Sequence, residues 1–114
     1  MRNGVRGGKK GMCKNISELN KENGRYYGYD VQSNQLVEEC AELIQAVNKY
    51  RRAAAYVFHN NDIEAALNNY IEEIADVEIM LEQIKDLLQI PEEDVQAMKV
   101  YKINRTRERI NSKG

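Results

Sequence analysis

Four carboxylates stand apart from the other acids of this 114-residue chain because of where they fall. Glu39 with Glu42, and Glu73 with Asp76, are two (i, i+3) pairs, each bordering an apolar helical stripe. Glu73 is the one charged residue in the row Ala66, Glu73, Met80, Leu87. At about 100° per residue, Glu39 lies roughly 70° from the centre of its stripe, Glu42 is further out on the same flank, and Glu38 points away. Antiparallel packing of the two helices would bring the pairs together. Four carboxylates without a compensating charge repel one another and resist ionisation. A hard divalent cation with oxygen ligands removes that conflict, and Mg²⁺ in addition retains waters and binds phosphate oxygens. A ferritin-like di-iron site needs Glu-x-x-His on two helices, and the chain has one histidine, His59, expected in a loop. Cys13 and Cys40 lack zinc-ligand spacing. The pattern alone leaves solvated or ion-paired acids as the alternative, because charge on an amphipathic helix is usually a wet face.

The elements that must carry these residues are all helical, since there is one proline (Pro91) and almost no strand-like alternation. A short helix is expected around residues 16–22, followed by a connector rich in tyrosine (Tyr26, Tyr27, Tyr29) bracketed by Gly24 and Gly28. The first long helix should run from about Val31 to about Phe58 on a stripe of Leu36, Cys40, Leu43, Val47, Tyr50 and Ala54, which makes Cys40 a core residue. A break at His59-Asn60-Asn61 follows, with Asn61 and Glu64 spaced as a capping box. The next helix carries Ile63, Leu67, Tyr70, Ile74, Val77, Leu81, Ile84 and Leu88 at alternating spacings of four and three, a bundle seam. Pro91 suits the first turn of a last helix reaching about Asn111, with Glu92, Glu93 and Asp94 near its positive end.

Charge is segregated along the chain although the net value is −1. Residues 1–17 hold five bases and no acid, residues 99–114 six bases against Glu108, and residues 18–98 seventeen acids against six bases. Residues 1–14 read as a flexible basic tail and 15–114 as a single domain. Gly8-Lys9-Lys10 lacks the Ser/Thr and the preceding strand of a phosphate loop. The longest apolar run is six residues, 53–58, far below the roughly 20 of a membrane span, and no secretory signal is visible. A cytoplasmic location with reduced thiols is therefore expected. An acidic body with basic ends suits a metal-dependent site for an anion; tails that touch nucleic acid are the rival reading, which the absence of interleaved aromatics disfavours.

The motifs Glu38-Glu39-Cys40-Ala41-Glu42 (EExxE) and Glu73-Ile74-Ala75-Asp76 (ExxD), inside QLVEECAELIQAVNKYRR and IEEIADVEIMLEQI, resemble those of the MazG-like all-α nucleoside triphosphate pyrophosphohydrolases. The basic stretch YKINRTRERI is similar to that family's final helix, so the likeness spans about residues 28–111. The resemblance implies hydrolysis of a nucleoside triphosphate to the monophosphate and pyrophosphate by metal-activated water attack at the α-phosphorus. It implies Mg²⁺, with Mn²⁺ able to stand in, on Glu39, Glu42, Glu73 and Asp76; Glu38 matches the first motif position and joins the candidate catalytic set. Lys102, Arg105 and Arg109 share one face of the last helix and are candidate phosphate ligands, with Lys49, Arg51 and Arg52 as weaker ones. Gln32 and Gln35 fall in a region resembling the nucleobase-contacting side, and Tyr29 and Asn34 are nearby candidates. The expected architecture is a MazG-like bundle whose four-helix arrangement is completed by homodimer or homotetramer formation. The competing reading is a non-catalytic helical nucleotide-binding or assembly module. No specific nucleic acid and no membrane partner is expected.

Overall fold

In the computed structural model, residues 14–55 and 60–113 are described, and among them every regular element is a helix: α1 (Ile16–Tyr27), α2 (Tyr29–Ala55), α3 (Asn60–Leu87) and α4 (Glu92–Lys113). The expected all-α class is observed. None of these helices is long and apolar enough to cross a membrane. Residues 1–13 of the basic tail, Cys13 among them, and His59 lie outside the described residues, whereas Lys14 pairs with Glu22.

The chain turns helical after Asn15, whose side-chain oxygen accepts from the Glu18 amide at 2.7 Å and so satisfies one of the free donors of the first turn. α1 runs beyond the expected residues 16–22 and includes Gly24, Tyr26 and Tyr27, so the supposed connector shrinks to Gly28. Gly28 ends the helix at φ +87°, a conformation open to glycine at little cost. Gly24 stays in the helix for a packing reason: a Cβ there would meet Cβ and Cγ of Gln83 at 3.0 Å.

α2 and α3 form an antiparallel hairpin, since ascending positions on one meet descending positions on the other: Gln32 with Gln83, Glu42 with Glu73, Tyr50 edge-on to Tyr70. Its core is thin and built from small or flexible residues, Ala46, Ala66, Val77 and Met80. Two expectations about this interface need correcting. The covered side of α2 runs through Gln32, Glu39, Leu43, Ala46, Tyr50 and Ala53, and Cys40 is exposed. On α3 the covered rows are Ala66, Glu73, Met80, all buried, and Ile63, Tyr70, Val77, Ile84, of which Val77 is buried and the others half-buried, whereas Leu67, Ile74, Leu81 and Leu88 remain 41–49% exposed. One of the two rows of the expected seam is thus covered within the chain and the other is not. The expected break at residues 59–61 is shorter, since Asn60 and Asn61 already belong to α3, and the expected course of the first long helix over 56–58 lies outside the described residues.

α1 lies along α3 in the same direction and is held by polar groups. Asn20 donates to the Ile79 carbonyl (3.0 Å) and to Glu82 (2.9 Å), and Ser17 donates to the other Glu82 oxygen (2.6 Å). Gln83 donates to Asn20 (2.8 Å) while accepting from Gln32 (2.7 Å), so one buried chain of amides ties α1, α3 and α2. Arg25 closes the far end with two bonds to Asp86, at 2.9 and 2.8 Å.

α3 stops in a Schellman-type turn. The Gln89 amide bonds to the Asp86 carbonyl (3.1 Å), the Ile90 amide to the Lys85 carbonyl (2.9 Å), and Gln89 sits at φ +56°. Lys85 then meets Glu92 at 2.8 Å, and Pro91, expected in the first turn of the last helix, stands just before α4, which begins at Glu92. α4 has no buried residue, and Met98, Val100, Tyr101, Ile103 and Ile110 are at least half exposed. Lys102, Arg105 and Arg109, the candidate phosphate ligands, are exposed within the chain.

Candidate metal centre

Glu39 and Glu42 project from the middle of α2, Glu73 from the middle of α3, and the hairpin brings them together. One carboxylate oxygen from each of the three lies within 4.8 Å of the others. Glu73 is 9% exposed, a carboxylate almost removed from water in a row of apolar side chains. Glu39 is half-buried and Glu42 is on the open side. Asp76, one turn along α3 from Glu73, stands next to this trio, close enough for Glu39 to act on it electrostatically.

The electrostatics are those of crowded acids. Glu42 is pushed above the usual carboxylate range, first by the negative charge of Glu39 and then by burial. Glu73 is raised chiefly by burial, and after that by Glu42, Asp76 and Glu39. Asp76 is raised by burial, then by Glu39 and Glu72. Glu38 is exposed and adds to the repulsion on Glu42. Glu72, unremarked in the sequence, acts in the same way on Glu73 and Asp76; the doubled acid of IEEIAD was the available signal.

Two oxygens are decisive for what the cluster can hold. Oε1 of Glu39 and Oε1 of Glu73 are buried and accept no hydrogen bond. A buried acceptor without a partner costs about 1–3 kcal/mol, and more when charged. Oxygens left bare among like charges fit a hard cation, which would take one oxygen from each of Glu39, Glu42 and Glu73, with Asp76 beside them. Glu39 is otherwise held by Gln35, whose Nε2 donates to Oε2 at 2.7 Å.

The remaining candidates divide. Gln35 belongs to the cluster through Glu39, whereas Gln32 is buried and its Nε2 is engaged by Gln83, away from the acids. Lys102, Arg105 and Arg109 are exposed along α4, and the Arg105 guanidinium lies 5.7 Å from the ring of Tyr101. Cations do occur further along α2. Lys49 and Arg52 line a cleft of about 460 Å³ with Ala53, Asp62, Ala65, Ala66 and Asn69. Asn69 precedes Glu73 by one turn, about 6 Å along α3, and Lys49 follows Glu42 by two, about 10 Å along α2. Arg51 is exposed and does not line that cleft. Tyr29 and Asn34 are exposed near the start of α2.

Comparison of the chain with protein-family models, with curated proteins and with solved structures finds no match.

Proposed function

We propose that the protein is a Mg²⁺-dependent nucleoside triphosphate pyrophosphohydrolase of the MazG-like all-α type, releasing a nucleoside monophosphate and pyrophosphate. The observation that carries the reading is the pair of buried, unpartnered carboxylate oxygens on Glu39 and Glu73, within a cluster drawn from the EExxE and ExxD motifs. An assembly module gains nothing from such oxygens, because replacing them with apolar groups would be cheaper.

Mg²⁺ bound there would neutralise the triphosphate and act as a Lewis acid on its phosphate oxygens. The chain's own residues do the rest. Glu39, Glu73 and one oxygen of Glu42 would hold the cation, with Asp76 beside them. Glu42 is the most open member of the trio, which suits its other oxygen to take the proton of the attacking water. The water oxygen bonds to the α-phosphorus, the bridge to the β-phosphate breaks, and pyrophosphate leaves. The cleft one to two helical turns away, with Lys49 and Arg52 on its wall and Asn69 as an amide, suits the remainder of a nucleotide anion.

Two copies of the chain are part of the same proposal. The uncovered row Leu67, Ile74, Leu81, Leu88 and the unburied basic α4 call for a second acidic body. In that association Lys102, Arg105 and Arg109 would meet phosphate at the partner's cluster.

The test is a panel of ribo- and deoxynucleoside triphosphates with and without Mg²⁺, products resolved. Mg²⁺-dependent monophosphate and pyrophosphate, abolished in Glu42→Gln and Glu73→Gln, is the expected result. Diphosphate with orthophosphate, or no turnover by folded protein with Mg²⁺ bound, would overturn it.

A further inference from the structure

We infer that Gln35 is a positioning residue of the metal centre, holding Glu39 by one carboxylate oxygen so that the other stays free for the cation. The inference rests on the metal-centre reading above and deepens it. Gln35 stands one helical turn before Glu39, and its Nε2 donates to Oε2 of Glu39 at 2.7 Å in a half-buried setting. The other oxygen, Oε1, is buried and accepts nothing. An ionised carboxylate is acceptor-only, so the nitrogen end of the amide must face it. The two oxygens of one side chain are thereby assigned different tasks.

The residue type matters as much as the bond. A lysine or arginine at position 35 would also hold Glu39, but would cancel part of the negative charge that draws in a cation. Glutamine supplies a hydrogen bond and no charge. It limits the rotation of Glu39 and leaves the cluster with its full demand for a positive ion. Groups that orient ligands from behind in this way commonly change metal affinity by about 10–100-fold when lost. The loss should fall hardest on Mg²⁺, which demands near-octahedral geometry, and least on Ca²⁺, which tolerates irregular ligands.

The experiment is calorimetric titration of the full chain with MgCl₂ and, separately, with CaCl₂, for wild type, Gln35→Ala, Gln35→Lys and Glu73→Gln, with the metal-free melting temperature of each. Gln35→Ala should lower Mg²⁺ affinity by about tenfold or more and Ca²⁺ affinity by clearly less. Gln35→Lys should weaken both cations while raising the metal-free melting temperature, two opposed changes that a merely structural residue would not produce. Mg²⁺ affinity in Gln35→Ala within twofold of wild type, with binding lost in Glu73→Gln, would overturn the role of Gln35 and leave the centre standing. So would equal losses of Mg²⁺ and Ca²⁺ affinity accompanied by a fall in melting temperature. Wild type that binds no Mg²⁺, or Glu73→Gln that binds as wild type does, would remove the centre and this inference with it.

Discussion

Crowding of Glu42, Glu73 and Asp76 carries a cost in the metal-free protein, and that cost has a pH signature. Glu42, Glu73 and Asp76 hold their protons more tightly when folded than when unfolded. The folded state therefore binds more protons than the unfolded chain once pH exceeds the ordinary carboxylate value, and stability falls as pH rises through the elevated values. Asp86 has the opposite sign, because the hydrogen bond and charge of Arg25 hold its carboxyl below the usual range; Glu82 is likewise lowered by Asn20 and Ser17. Their contribution is present above the ordinary carboxylate value and is lost as pH falls through the lowered ones. Wild-type stability sums the two trends, so single variants are needed to separate them. With chelator present, Glu73→Gln should match wild type near pH 4 and exceed it near pH 8, read as urea midpoints. Asp86→Asn should be destabilised near pH 8, with the difference shrinking toward acid. Arg25 is largely exposed, which keeps this second effect small. Adding excess Mg²⁺ should raise the melting temperature of wild type and leave that of Glu73→Gln nearly unmoved, since only a state that binds the ion is stabilised by it.

Helix ends and crossings supply predictions that do not involve the centre. Gln89 occupies a left-handed position that costs a side chain about 1–2 kcal/mol, so Gln89→Gly should stabilise the protein by about 0.5–1 kcal/mol after the greater freedom of unfolded glycine is subtracted. Gly24→Ala should destabilise it by about 1–3 kcal/mol, because the added methyl collides with Gln83 and the buried amide chain must shift. Denaturant midpoints measure both. These elements also mark how far the sequence could be read. Helix type, the ends of α4 and the convergence of Glu39, Glu42 and Glu73 were legible because the 3.6-residue period fixes which positions share a face. Cys40 was placed in the core by its apolar character, yet the covered row passes through Gln32 and Glu39, polar residues that hydropathy counts against burial. Gln83 was invisible for a related reason. It is buried by α1, whose inward residues are Asn20 and Gly24, and a helix docked by polar and glycine contacts leaves no hydrophobic stripe to detect.

Among the described residues an apolar row on α3 and a basic, unburied α4 stand uncovered, two faces of opposite character. If a second copy covers them, Ile74→Asp with Leu81→Asp should shift the protein to monomer, weakening association at least about tenfold by the loss of two apolar contacts. Sedimentation velocity across a dilution series would show it, and an unchanged mass would remove the α3 row from the interface. The hairpin has one more implication. Its carboxylates come from a continuous stretch, 39–76, and its arms meet in order from the connecting end outward. Contacts of that kind close short loops before long ones, so the pairing can advance like a zipper, without waiting for distant segments. The crowding of like charges then arises midway along the closing hairpin, between the Tyr50–Tyr70 contact and the Gln32–Gln83 bond. Divalent ions in the refolding buffer should therefore accelerate folding as well as slow unfolding, with the nest serving as a catch on the growing helix pair.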